Sequence, residues 1–384
     1  MRVIPPLEIT NARLTSTTAP EPGVGEAAFN IATTYATNDK VIVGSPTHTV
    51  TITVASPGVL TWTAHGQADA TPVVLTTTGA LPTGLTAGAR YFIVNSTADT
   101  FQLSAEPNGA PIVTTGAQSG THTATAEVHR TYMSREDTNV GNSPMISPDK
   151  WTDVGPTNAW AMFDLLRSTS TYLGSLLTVV ITPGVRVDTL GLDGIVADSV
   201  TAVVSVGGSP IKTITKSLRT RIVRSWRNHF FAPFTTASVF STLDLPPATN
   251  AVITITLTRA QGDVALAGMV LGMSEFLGTA LNNTVDDADN FSRVDEDPDF
   301  GDRKLTPRQT KQRLAIPILC PAWNVVSARS LRKKLAGRPA LWIGLDDEDG
   351  NYFESVFIVG FYTEMPINLD DANQAVIPLV VKEV

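Results

Sequence analysis

Five histidines are the first candidates for metal or general-base chemistry: His48, His65, His122, His129 and His229. Four of them lie in or beside a Thr-rich stretch, and none stands three or four residues from another. Zinc needs ligands that converge, usually at short spacing, so this pattern predicts no metal site. Gly23-Val24-Gly25-Glu26-Ala27-Ala28 fits a loose dinucleotide fingerprint, but it follows Ala19-Pro20-Glu21-Pro22 rather than a strand. Without a strand before and a helix after, no helix N-terminus meets a pyrophosphate, and no cofactor is expected. Asp295, Asp297 and Asp299 alternate ahead of Gly301, yet Pro298 and Thr306 break the pattern of a calcium loop. That acidic run reads as a solvated segment or as a surface facing a basic partner. No pair of carboxylates sits in an apolar setting that would split their pKa values for glycoside hydrolysis. No P-loop, nucleophile elbow or His-Glu-x-x-His is present. Cys320 ends the apolar run of residues 314–320, which suits a buried, inert thiol rather than a nucleophile. The chain reads as non-enzymatic, with no catalytic residues.

Aromatic rings carry the remaining chemistry. Sugars lay their C–H faces on exposed rings, with a few polar groups fixing orientation. Tyr35, Tyr132 and Trp151 are the candidate carbohydrate-binding residues, with Trp160 close behind. They fall in a module so small that the same rings are also its natural core.

The elements that would position these residues are strands and turns. The 384 residues are 42% hydrophobic, enough for buried cores, but only 17% charged. Thr, Ser, Gly and Pro fill the difference, as in proteins built from pleated surfaces and tight turns. The length suggests two to four domains. A net charge of −8 argues against wrapping nucleic acid or binding an acidic membrane. No apolar run is long enough to span a bilayer, so no membrane insertion is expected. The N-terminus lacks the apolar stretch of a secretory signal. One cysteine permits no internal disulfide and fits assembly in a reducing cytoplasm.

The predicted fold is mainly β and multi-domain. Residues 1–28, rich in Pro, Thr and Glu, read as an extended N-terminal arm ordered by a neighbour. Residues 29–45 and 127–159 share one texture and form a split β module. Residues 46–126, almost all Thr, Val, Ala and Gly, form a small β domain inserted into one of its loops; such insertions are tolerated because closure entropy grows slowly with length. Residues 160–280 carry β-branched runs between turns, as in a jelly-roll-like β-sandwich, and residues 265–273 are apolar on both parities, as in a central strand. Residues 281–312 read as an acidic linker. Residues 313–384 form a small C-terminal α+β domain, a β-α-β-β unit. Its helix over residues 322–335 ends in Arg332, Lys333 and Lys334, with Gly337 as C-cap. That unit is small enough to want partners.

Two regions resemble known families. Ala32-Thr33-Thr34-Tyr35 with Asp39-Lys40-Val41, then Tyr132, Asn142-Ser143-Pro144 and Lys150-Trp151, resemble the chitinase-type carbohydrate-binding modules, although Asn38 replaces a glycine. From Trp151 onward, the segment Gly155-Pro156-Thr157-Asn158-Ala159-Trp160-Ala161-Met162-Phe163-Asp164 is similar to a signature of tailed-bacteriophage virion proteins. Asp244-Leu245-Pro246-Pro247, Gly268-Met269-Val270-Leu271-Gly272, Pro339-Ala340-Leu341-Trp342-Ile343-Gly344 and Val359-Gly360-Phe361-Tyr362 share that likeness. The insertion, through Leu81-Pro82-Thr83-Gly84-Leu85 and Asp99-Thr100-Phe101-Gln102-Leu103, resembles decoration-like modules of phage structural proteins. The resemblance implies a tail-tip or baseplate component located in the virion tail and present in symmetric copies. Its implied partners are other tail or baseplate subunits, copies of itself, and tail fibres. The alternative it leaves open is a receptor-recognition protein that binds a host surface glycan.

Overall fold

The computed structural model describes residues 1–221, 225–296, 303–308, 310–346, 352–369 and 371–384. Strand accounts for 45% of the chain and helix for 7%, so the protein is mainly β with several sheets. It divides into two compact units, Pro20–Trp160 and the pair of segments Met1–Ala19 and Ala161–Val384.

The unit Pro20–Trp160 is a module within a module. Lys40–Val43, Arg130–Ser134 and Trp151–Pro156 form a three-stranded antiparallel sheet with Arg130–Ser134 in the middle. Between the first two of these strands the chain leaves to build a closed barrel. Its strands run, in barrel order, Thr47–Ile52, Leu60–Thr61, Thr100–Ser104, Arg90–Val94, Pro72–Thr77 and His122–Ala126. Period-two alternation explains the barrel. In His122–Ala126 the residues His122, Ala124 and Ala126 point inward while Thr123 and Thr125 are half-buried outside. Val73, Leu75, Ile93, Phe101 and Leu103 fill the interior. The two crossings at the neck are joined by backbone bonds: the amides of Val128 and His129 both donate to the Gly44 carbonyl, at 3.1 Å each.

The other unit holds three larger sheets and several two-stranded ribbons. Ser209–Ser217, Ser199–Val206, Ala251–Thr258, Leu176–Ile181 and Leu14–Thr17 form a five-stranded antiparallel sheet. Phe240–Thr242, Thr189–Asp193 and Gly268–Gly272 form a second sheet, and every residue of Gly268–Gly272 is buried. The largest sheet runs Glu275–Phe276, Arg2–Ile4, Ala340–Ile343, Phe357–Glu364, Gln374–Glu383, Thr310–Pro321, with Thr279–Ala280 and Val285–Asn290 both on the last of these. The helix Val325–Lys334 packs Ala328 and Leu331 onto this sheet, and Gly337 follows at φ +69°.

Three expectations need correction. Residues 1–19 are no arm awaiting a neighbour: Arg2–Ile4 pairs with Ala340–Ile343 and Glu275–Phe276, and Leu14–Thr17 pairs with Leu176–Ile181. Val3 and Ile4 are fully buried, which offsets the entropy of ordering that segment. The described residues of 281–312 are no linker either, since Val285–Asn290 pairs with Thr310–Pro321 and Arg293–Glu296 pairs with Arg303–Thr306. Finally, residues 313–384 share a core with residues 160–280. A Cβ at Gly191 would meet Leu341 Cδ2 at 2.1 Å, so glycine there lets the two sheets approach. Ile4, Val270, Leu341, Ile343, Phe357 and Val359 close that junction.

Candidate interaction surfaces

The structure brings Tyr35, Tyr132 and Trp151 together, but inside the split module. Trp151 is 2% exposed, and Tyr35 and Tyr132 form one cluster with it and Val41. The Tyr35 and Trp151 rings meet edge to face with centroids 5.2 Å apart, and Phe29 stacks on Tyr35 at 6.0 Å. The polar atoms of Tyr35 and Trp151 are used internally. The Tyr35 hydroxyl accepts from the Asn30 amide at 2.8 Å, and Trp151 Nε1 donates to the Asn142 carbonyl at 3.0 Å. Burial, then the nearby Asp153 carboxylate, pushes the Tyr132 phenol up to about 12. A sugar needs an open ring face, and these rings have none to offer. They are the core of the module rather than a platform on it.

A polar network ties the neck of the insertion. His129 Nδ1 lies 2.7 Å from Glu21 Oε2, and His129 Nε2 lies 3.1 Å from the Ser45 hydroxyl. The second Glu21 oxygen accepts from Thr157 Oγ1 at 2.7 Å. Hydroxyl, imidazole and carboxylate in this order match the setting of an activated nucleophile, where the imidazole takes the hydroxyl proton and the carboxylate orients the ring. Here the three groups come from the three segments that meet where the barrel leaves and rejoins the module, and the carboxylate is shared with a fourth. Beside the network opens a cleft of about 870 Å³, lined by Glu21, Phe29, Asn30, Trp62, Gln67 and Ser143 among others. Spacing in sequence gives no hint of this network, because Glu21 and His129 lie more than a hundred positions apart.

In the other unit, a short hairpin stands out from the five-stranded sheet. Arg219–Thr220 pairs with Thr235–Thr236, and the tip carries the helix Trp226–Phe231, whose N-cap Ser225 accepts from the Asn228 amide. No residue of that helix is buried. Trp226 is 81% exposed, Phe231 80%, Phe230 65% and Phe234 52%. The Arg219 and Arg221 guanidinium groups lie over the Phe234 ring, 4.5 and 4.2 Å from its centroid. Arg221 also donates to the His229 carbonyl, and Arg219 faces Asp198 at 3.7 Å. Between Asp198 and Asp244 the sequence holds no Asp or Glu. The surface is therefore both aromatic and basic. Four large exposed rings on one hairpin exceed what a surface left in water normally carries.

An opposite surface lies along the edge of the large sheet. A groove of about 500 Å³ is lined by the carboxylates of Asp286, Asp287, Glu354 and Glu383, with the Arg167 guanidinium as counterweight. Asp286 accepts from Gln312 Nε2 at 3.1 Å, and Glu354 from the Ser238 amide at 2.9 Å. Val285 is exposed at the start of the edge strand Val285–Asn290, and Phe291 and Leu305 are exposed beyond its far end, outside the groove lining. The acidic run beyond it falls partly outside the described residues, since 297–302 are not among them. Among the described residues, no group of three or more His, Cys, Asp and Glu side chains is placed to hold a metal ion, and no helix is long and apolar enough to cross a membrane. No protein-family model, no curated protein and no solved structure matches the chain.

Proposed function

We propose that this chain is a structural subunit of a bacteriophage tail, at the tail tip or baseplate, that assembles in symmetric copies and links the tail to peripheral or fibre proteins. The sequence likeness from Trp151 onward suggests the setting, and the exposed aromatic hairpin around Trp226 carries the reading. Rings left this open on a folded unit are characteristic of surfaces that bury against another subunit. A glycan-binding role would need a platform other than Tyr35, Tyr132 and Trp151.

The test is incorporation. A Trp226→Ala, Phe230→Ala, Phe231→Ala variant alters only side chains that the rest of the chain leaves exposed, so it should fold like the parent. It should be missing from purified particles when supplied in place of the parent chain. Particles that carry the variant at parental stoichiometry would refute the role given to the hairpin. Particles that never contain the parent chain would refute the structural reading itself.

A further inference from the structure

We infer that the partner of the aromatic hairpin is a second copy of this chain, whose acidic groove receives it. The inference rests on the structural reading above and names the contact by which copies would join. Three observations favour this occupant. First, the charges complement: Arg219, Arg221 and Arg227 sit on the hairpin, while Asp286, Asp287, Glu354 and Glu383 line the groove. Opposed patches of this kind set register and steer encounter between partners. Second, the hairpin adds four exposed rings to its charge, an area that only a partner would cover. The rings alone would bury roughly 600 Å², a large part of the ~800 Å² that one partner contributes to a stable interface. Third, both surfaces belong to one unit, so two copies can exchange hairpins about a two-fold axis or follow one another head to tail. Each copy offers one hairpin and one groove, and such contacts close into a ring when the rotation between copies permits.

The experiment uses the full chain and charge reversal on each surface separately. Arg227→Glu reverses an exposed charge on the tip helix, and Asp286→Lys with Asp287→Lys reverses the groove. Sedimentation velocity over a concentration series reads the oligomeric state, and circular dichroism checks that each variant is folded. The parent chain should form oligomers. Each folded variant alone should self-associate about tenfold more weakly or worse. Mixing the two variants should restore assembly, because the reversed hairpin of one then meets the reversed groove of the other. Folded variants that assemble as the parent does would overturn the contact while leaving a homomeric subunit in place. A parent chain that stays monomeric at every concentration, yet is found in particles, would overturn the inference and leave the tail assignment standing with another subunit as partner. A monomeric parent absent from particles would remove both.

Discussion

The Trp160 indole lies face to face with the His129 imidazole, ring centroids 4.0 Å apart and planes 24° from parallel. The stack holds the ring between Glu21 and Ser45, so the neck of the inserted barrel is fixed from three directions at once. Removing the carboxylate should expose how much this matters. Glu21→Ala leaves the Thr157 hydroxyl and His129 Nδ1 without the acceptor they share, in a setting where Thr157 is fully buried. The variant should lose about 3 kcal/mol from the unit Pro20–Trp160 in urea unfolding. An unchanged midpoint would mean that the backbone bonds to Gly44 hold the neck unaided.

Trp151→Ala should damage folding before it could damage any binding. A large aromatic truncated in a core costs about 3–5 kcal/mol, and here the lost ring also leaves the Asn142 carbonyl without its donor. Differential scanning calorimetry should show the transition of the split module moved well down. A variant with the parental melting profile would mean the ring is not part of the core.

Tyr132 predicts the alkaline behaviour of the same module. Its phenol is raised in the folded state to about 12 from 10.0, with burial as the main cause. The unfolded chain therefore gives up the proton first, and the stability tied to the neutral phenol, complete below pH 10, is lost as pH rises toward 12. Tyr132→Phe should flatten that alkaline decline, measured as urea midpoints across the range. If parent and variant decline in parallel, the phenol is not responsible.

Asp193 should act in the other unit with the same sign at lower pH. Its carboxyl is raised above the usual range by burial, only partly offset by the Arg167 guanidinium and the Gly194 amide. Its protonated form is thus favoured in the fold, and its contribution falls as pH climbs from below about 4 through the raised value. Asp193→Asn should gain on the parent as pH increases from acid to neutral. A constant difference between the two across that range would contradict the assignment.

Cys320 is fully buried, and burial raises its thiol. Iodoacetamide should leave it untouched in the native chain and label it at the rate at which the surrounding sheet opens. Rapid labelling without denaturant would show that the strand Thr310–Pro321 opens on its own.

Much of the architecture is written in local pattern. The texture changes at Pro46, one residue before the first barrel strand, because a small closed barrel selects Thr, Val and Ala on alternate positions. Gly268–Gly272 reads as a central strand because neither of its faces meets water. Helix Val325–Lys334 announces itself by Arg332, Lys333 and Lys334 in its last turn. What local pattern could not carry is pairing over distance. Arg2–Ile4 is three residues long, too short for any periodicity, and its partners lie beyond residue 270. The acidic stretch after Val285 looks like a linker because its strand is exposed along nearly its whole length, so no apolar alternation betrays it. Tyr35, Tyr132 and Trp151 were legible as a group, but their type alone does not say which way they face. The hairpin rings were the reverse case. Phe230-Phe231 looks like core by composition, and the signal that it is not is the Arg-rich, carboxylate-free stretch around it.

The placement of Arg2–Ile4 between Glu275–Phe276 and Ala340–Ile343 sets an order of events during synthesis. Arg2–Ile4 gains its longer partner only when Ile343 has been translated, whereas the barrel and its split host can collapse long before. A polypeptide released early would therefore display a finished Pro20–Trp160 unit on a tail-less, unzipped remainder. Such a product lacks Glu354 and Glu383, so premature termination yields a fragment whose acidic groove is incomplete.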